Sequence, residues 1–293
     1  MPDIDDTCQH PSDTRGKKIM TTLKLKGGIE VGAVFQMNCG DNLMVTEIIS
    51  ANKVRVLFLN AVHEDIVEAV EIRRGSVKNP LFPSFSGHGF IGVGPYCISK
   101  SGIVSKTASI WIAMLQRVYT PMNENQKRQY AGTSVDAAWY NFQAFANWYE
   151  TRLNRFGLVD FRWDLDKDFL VPGNRVYGPD TCCLIPHPVN VLFTDSAVAR
   201  GRLPLGVRKE GKRYRARVGE DSKSRNLGTF DTVRESQIAY WNAKFDAIRN
   251  TTIRYWNYLP EALAMRLIQF SWADAFAYYG DDARLWSDNE GSN

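Results

Sequence analysis

The sequence contains no apolar run near the roughly 18 residues that cross a bilayer. A membrane-spanning protein is therefore not expected. Its first residues, MPDIDDTCQHPSDTRGKK, hold no apolar stretch of the kind a secretory signal requires. Cysteine is sparse and odd in number, five in 293 residues, which argues against a disulfide framework. What is present is ordinary globular usage, 44% hydrophobic and 23% charged. That composition excludes a wholly disordered chain, a collagen-like chain and a coiled-coil rod. The expectation is a soluble protein of a reducing compartment, with about two domains by length.

Charge of one sign is concentrated. The formal net charge is +4, yet residues 200–249 alone hold 13 Lys/Arg against 6 Asp/Glu, leaving the rest of the chain near −3. A basic module on a slightly acidic body suggests a polyanion partner, nucleic acid first. The alternative is a merely solvated basic face.

Residues 1–19 read as a tail. From 20 to 95, short alternating segments (Val31–Gln36, Asn42–Ser50, Lys53–Leu59, Ile66–Ile72) read as strands with tight turns, predicting a small β-barrel. Asn79–Tyr96, rich in Gly, Pro and Ser, reads as a linker or ordered loop. Its glycine-rich run Gly87–Gly94 does not open a clear helix, so it fails as a phosphate loop. Cys97 lacks a protease context.

Between 106 and 156 the period becomes helical. Ile110, Trp111, Met114, Leu115 and Val118 mark one helix. Val135, Trp139, Phe142, Phe145, Ala146 and Tyr149 mark a second, with Ser134 as its N-cap. This aromatic stripe is read as core. Residues 160–195 are dense in Asp, Asn, Gly and His, the composition of site-bearing loops. Cys182, Cys183 and His187 do not make a zinc site by spacing, because adjacent residues of a strand face opposite ways. Glu261–Tyr279 reads as one amphipathic helix before an acidic tail, in a helical extension spanning 258–293.

In the basic module, Arg213, Arg215 and Arg217 alternate with Tyr214, Ala216 and Val218, which places the arginines on one face of a strand. Leu205 and Val207 supply the inner face of the preceding strand, with Arg208 near the outer face. Leu227–Phe230 closes a third strand. Asp231 or Thr232 caps a helix carrying Ile238, Ala239, Trp241, Phe245 and Ile248. A two- or three-stranded sheet fits the DNA major groove, and arginine is suited to guanine edges and phosphates.

The segment resembles the Apetala-type DNA-binding domain of plant transcription factors and phage-type endonucleases. The matching pieces are Gly206-Val207-Arg208, Tyr214-Arg215-Ala216, Leu227-Gly228-Thr229-Phe230 and Ala239-Tyr240. The resemblance implies a three-stranded sheet in the major groove, with Arg208, Arg213, Arg215 and Arg217 as contacts; Arg225 is added as a fifth DNA-binding candidate. Tyr214 stands where that family commonly has Trp.

A second resemblance lies upstream, carried by Trp163–Asp168, Gly173-Asn174, Tyr177, Cys182-Cys183 and Pro186–Asn190. It is to the HNH endonucleases, in the form that phages carry before an Apetala-type domain. The resemblance implies a ββα-metal unit within a nuclease domain over 105–198. Asp166 matches the metal-binding Asp, Asn190, 24 positions on, the second ligand, and Asn174 the middle Asn. Magnesium or manganese is the implied cation, since phosphodiester cleavage calls for a hard cation beside a base. Lys167 occupies the catalytic His position. An ordinary lysine is protonated at neutral pH, so Lys167 serves as base only if burial depresses its pKa. His187 is the nearest substitute base. The bland readings are an exposed ion-paired turn at 166–168, a helix cap at Asn190 and a packing role for His187.

The expected architecture is α+β: an N-terminal β-barrel, a central helical and ββα-metal domain, and a three-stranded sheet plus helix over 200–250. The expected function is metal-dependent cleavage or nicking of double-stranded DNA, by a phage-encoded protein in the cytoplasm of its bacterial host. The alternative is a degenerate nuclease fold that binds DNA or inhibits a host bacterial protein.

Overall fold

The structure is a computed structural model and describes residues 24–193, 202–220 and 223–287. The chain divides into two compact units, Met1–Phe82 and Pro83–Asn293. Among the described residues no helix is long and apolar enough to cross a membrane.

In the first unit, β1 (Val34–Gln36), β2 (Asn42–Ile48), β3 (Lys53–Phe58) and β4 (His63–Glu68) form an antiparallel meander in chain order, followed by α1 (Ala69–Arg74). Period-2 alternation turns Leu43, Val45, Val54, Val56 and Phe58 inward, where Ala69 and Ile72 of α1 meet them. The expected barrel is corrected here: the sheet is open. Four strands are too few to close on themselves, and β1, three residues long, does not pair with β4. Helix α1 covers the core instead. The strand expected over Ile66–Ile72 ends at Glu68, because Ala69 onward turns helical until Gly75, at φ 66°, stops it.

Asp41 is fully buried in this unit. It is satisfied by the backbone N–H groups of Asn42 and Asn60 and by the Asn79 side-chain amide, which donates at 2.7 Å. A buried carboxylate with several donors is a staple of the fold rather than a reactive group.

The second unit opens with a loop whose glycines are packing positions. A Cβ on Gly89 would lie 2.4 Å from a Leu115 methyl, and one on Gly92 2.1 Å from the Asn141 side-chain oxygen. The hairpin β5 (Ser99–Lys100) and β6 (Ile103–Val104) leads into α2 (Lys106–Tyr119), capped by the Ser105 hydroxyl. After α3 (Glu124–Gln129) comes β7 (Ser134–Val135). Ser134 is not the cap that its chemistry suggests, because its N–H is engaged by the Arg175 carbonyl in a parallel ladder. The cap is Asn141, and α4 runs Phe142–Asn154. The aromatic stripe is core: Trp111, Trp139, Phe142, Phe145 and Tyr149 are almost wholly buried.

A short two-stranded sheet joins the two cores of this unit. Strand β8 (Trp163–Asp166) is followed by β9 (Val176–Tyr177), which pairs with β7, and then β10 (Cys183–Pro186), antiparallel to β8. Helix α5 (His187–Val191) follows at once. One face of the sheet puts Trp163 and Leu184 into the α2–α4 core; the other puts Cys183 and Ile185 into the C-terminal core. Cys182 packs with the first core and Cys183 with the second, as alternation demands, and burial pushes both thiols up, Cys182 to about 12.

The C-terminal part contains β11 (Val207–Glu210), β12 (Arg213–Glu220) and β13 (Lys223–Phe230) in antiparallel order. Helix α6 (Val233–Arg254) lies on one face, begun by a capping box between Thr232 and Glu235. Val207, Tyr214, Ala216 and Val218 are sealed beneath it, with Trp241 and Ile248. Ile238, expected in that face, is 38% exposed. The single helix expected over Glu261–Tyr279 is two, α7 (Glu261–Ile268) and α8 (Trp272–Tyr279). Phe270 turns into the core and Ser271, with Asp274, caps a new start.

Candidate functional site

The sheet β11–β13 presents its other face to solvent. Register decides which side chains share it, because directly opposed residues of an antiparallel pair point the same way. Arg208 opposes Arg215, Glu210 opposes Arg213, Arg215 opposes Thr229 and Arg217 opposes Asn226. The outer face therefore carries four arginines with Thr229, Asn226 and Glu210. A bulge between Ala216 and Arg217 leaves Leu227 as the extra residue of β13 and keeps Arg217 on this face. Gly228, at φ 123°, supplies the backbone that the bulge requires.

Two of the four arginines are engaged. Arg213 Nε lies 2.7 Å from Asp231, and Arg215 is paired with Glu210. Arg208 and Arg217 have no acidic partner among the described residues. Arg225 is exposed, but it pairs with Val218, so its register belongs to the helix-covered side rather than to the arginine face. The motif pieces Gly206 and Tyr240 touch. A Cβ on Gly206 would fall 2.0 Å from the Tyr240 ring, and Gly206 has φ +73°. Strand and helix are thereby locked in one relative position.

The β8–β10–α5 unit places the other candidates. Asp164, which no sequence motif marked as the centre, is the hub. Its Oδ2 lies 2.6 Å from His187 Nδ1 and accepts from the Asn190 amide at 2.9 Å, while Arg162 Nε donates to its Oδ1 at 3.1 Å. Burial pushes the Asp164 carboxyl up, but bonds from His187 and Asn190 outweigh this and hold it below the usual carboxylate range. A terminal guanidinium nitrogen of Arg162 lies 2.7 Å from His187 Nδ1 and 3.3 Å from its Nε2, so the ring is held between Asp164 and Arg162.

Asp166 shares the Asp164 face of β8, two residues along, but does not join this cluster. Its Oδ1 accepts the backbone N–H groups of Asp168 and Phe169 at 2.7 and 2.8 Å. Burial raises its pKa, only partly offset by those two bonds. Lys167 is not paired with it: its ammonium sits 2.8 and 2.7 Å from the two oxygens of Asp168. The Lys167 side chain is thus committed to Asp168 rather than to Asp166. Asn174 ties the intervening loop, donating to the carbonyls of Lys167 and Val176 at 2.9 and 2.7 Å. It is a loop staple.

Asp166, Lys167, Asp168 and Asn190 line one cleft of about 590 Å³, whose far walls come from α2, α3 and α8. His187 does not line it. Among the described residues no three His, Cys, Asp or Glu side chains gather as a metal-ligating group. Besides Asp168, taken by Lys167, and Asp282, itself engaged, the cleft is lined by the Asp166 carboxylate and the Asn190 amide. They fit magnesium, which takes few protein oxygens and retains water, and Asp166 has no cationic side chain bonded to it.

Arg117 of α2 also reaches this cleft, and no sequence motif points to it. Its Nε is buried without a hydrogen-bond partner among the described residues, and the guanidinium rests near the Tyr130 and Tyr177 rings, at 5.8 and 5.9 Å. Leaving such a donor unsatisfied costs about 1–3 kcal/mol. Helical spacing alone could only place it beside Val118 and Met114.

Comparison of the chain with family models, with curated proteins and with solved structures finds no match.

Proposed function

We propose that this protein binds double-stranded DNA through the outer face of the β11–β13 sheet. The observation that carries the reading is the register that sets Arg208 beside Arg215 and Arg217 beside Asn226, on a sheet whose opposite face is sealed by α6. Arginine and asparagine are the side chains that pair bidentately with guanine and adenine edges, and a sheet backed by a helix holds them without further ordering. Arg208 and Arg217 are available to phosphate or base. This is the interface implied by the Apetala-type resemblance. The protein would act in the cytoplasm of a phage's bacterial host.

The test is fluorescence anisotropy of a labelled duplex across salt, with the wild type beside Arg208→Ala/Arg215→Ala/Arg217→Ala. Affinity should fall in the triple variant while its melting curve is retained. Equal affinity in the two proteins rejects the reading.

A second reading, metal-dependent cleavage or nicking at the β8–β10–α5 unit, has one observation in its favour. Asp166 and Asn190 bring oxygen donors into a common cleft. They would hold magnesium or manganese, which supplies charge stabilisation at a phosphodiester when bound. What weighs against it is the base: Lys167 is bonded to Asp168, and His187, packed against Asp164 and Arg162, does not line the cleft. Binding to DNA, or to a host bacterial protein, requires no base. Conversion of supercoiled plasmid to open circle by wild type, abolished in Asp166→Ala, would restore the nuclease reading.

A further inference from the structure

We propose that the cleft between β8, α5 and α8 is a binding site for a single phosphate group, with Arg117 as its anchor. This site is separate from the arginine sheet and does not rest on DNA binding there.

Three observations converge on Arg117. Its guanidinium makes no hydrogen bond or ion pair among the described residues, and its Nε is buried, although buried guanidinium donors are ordinarily bonded. The guanidinium is flanked by the rings of Tyr130 and Tyr177, which orient a planar cation but accept no N–H bond in its plane. It lines a cavity of about 590 Å³, large enough for a nucleotide-sized ligand. Lys167 brings a second cation to the same Tyr177 ring, at 5.8 Å. Arg117 and Lys167 thus approach one ring on one cleft; Lys167 is paired with Asp168, and Arg117 has no acidic partner among the described residues, which leaves it open to an anion.

The acids on the β8 side of the cleft are each bonded within the protein. Asp168 is neutralised by Lys167, and one oxygen of Asp166 is occupied by two backbone N–H groups. Asp282, on the far wall, is itself engaged. Gln129 and Tyr130 add a side-chain amide and a hydroxyl on the Arg117 wall. Arginine's planar fork matches two oxygens of a phosphate at once, which selects phosphate over a halide. A free nucleotide and a nucleic-acid chain both carry such a phosphate, and the experiment separates the two.

Full-length protein is titrated by calorimetry with inorganic phosphate, with thymidine 3′,5′-bisphosphate and with a short single-stranded oligonucleotide. Arg117→Gln and Arg117→Lys are run in parallel. The wild type should bind the bisphosphate. Arg117→Gln should weaken it at least tenfold and Arg117→Lys by less, because the lysine keeps charge but loses the fork. A free-nucleotide site binds bisphosphate as tightly as the oligonucleotide; a chain site prefers the oligonucleotide. Thermal melting distinguishes a ligand role from a packing role. Removing an unpaired buried donor should leave the melting temperature unchanged or higher. No binding of any of the three ligands by wild type overturns the proposal. So does binding within twofold of wild type in both variants. If Arg117→Gln does not fold, the Arg117→Lys comparison decides. The variant Arg208→Ala/Arg215→Ala/Arg217→Ala should bind bisphosphate normally, so failure of the sheet reading and failure of this site are read from different ligands.

Discussion

Asp164 Oδ2 lies 2.6 Å from His187 Nδ1, across the β8–α5 junction, and the same oxygen accepts the Asn190 amide. This contact fixes the orientation of the His187 ring, engages the Asn190 amide nitrogen and ties the first strand of the unit to its helix. It is the structural counterpart of a motif that, by sequence alone, centred on Asp166.

Asp164 should therefore set acid stability. Its folded pKa is depressed below the ordinary 3.8, so its contribution is complete above that value and is lost as pH falls through the lower folded one. Asp164→Asn should be less stable than wild type at pH 7 and should show a flatter decline below about pH 4. Urea denaturation at pH 7, 4 and 3 measures both. Parallel decline in the two proteins would reject the assignment.

Asp166 has the opposite sign. Burial raises its folded pKa, so its charged form is disfavoured in the fold and stability is lost as pH climbs from the unfolded value through the folded one. Asp166→Asn should accordingly stabilise the metal-free protein at pH 7. Magnesium or manganese should raise the melting temperature of wild type and leave Asp166→Asn unmoved. A rise in both, or in neither, dismisses Asp166 as the cation's ligand.

The arginine sheet makes a prediction about salt. Deleting one arginine–phosphate bond should lower the slope of log affinity against log salt by about 0.9. Deleting an arginine–guanine pair instead costs about 1–3 kcal/mol at one sequence position and relaxes preference there. Arg217→Ala and Arg208→Ala, measured singly on several duplexes, separate these roles. Arg225→Ala should have the smaller effect, since its register is that of Val218.

Gly206→Ala tests the lock between sheet and helix. An alanine there adopts a left-handed φ and drives its Cβ into the Tyr240 ring. The expected loss is about 2–4 kcal/mol, combining backbone strain with overpacking. Gly206→Ala with Tyr240→Ala should recover the overpacking part only. Denaturant midpoints give both values.

Much of the fold was legible because it depends on periodicity. Alternation in Arg213–Val218 placed the arginines on one face, and Asp231 or Thr232 before the apolar positions of α6 placed the helix start to within a residue; the structure uses Thr232. The aromatic stripe from Trp139 to Tyr149 read correctly as core. Three expectations failed where local pattern and tertiary bonding compete. Ser134 had a cap's chemistry but spends its backbone N–H on a ladder to Arg175. Ile66–Ile72 had β-type residues, yet Ala69 onward is more useful as a helix over the open sheet. The 261–279 segment had a continuous helical period, but burying Phe270 needs a break.

The candidate site divides the same way. The sequence by itself determined which residue types are available: three arginines at alternate positions with a fourth on the neighbouring strand, two carboxylates two apart on β8, and a lysine where the resembled family has its histidine base. It also determined that Cys182 and Cys183 face opposite ways, because side-chain direction along a strand is a local property. Tertiary structure alone decided their partners. Asp164 rather than Asp166 meets His187 because α5 follows β10 without a spacer and lays its first turn against that end of β8. Arg225 leaves the arginine face because pairing register, a relation between strands, sets it opposite Val218. Arg117 comes to the cleft because α2, nearly 50 residues earlier in the chain than Asp166, is packed there by its own buried face. Contacts between residues distant in sequence carry no local pattern, so only the packed chain reveals them.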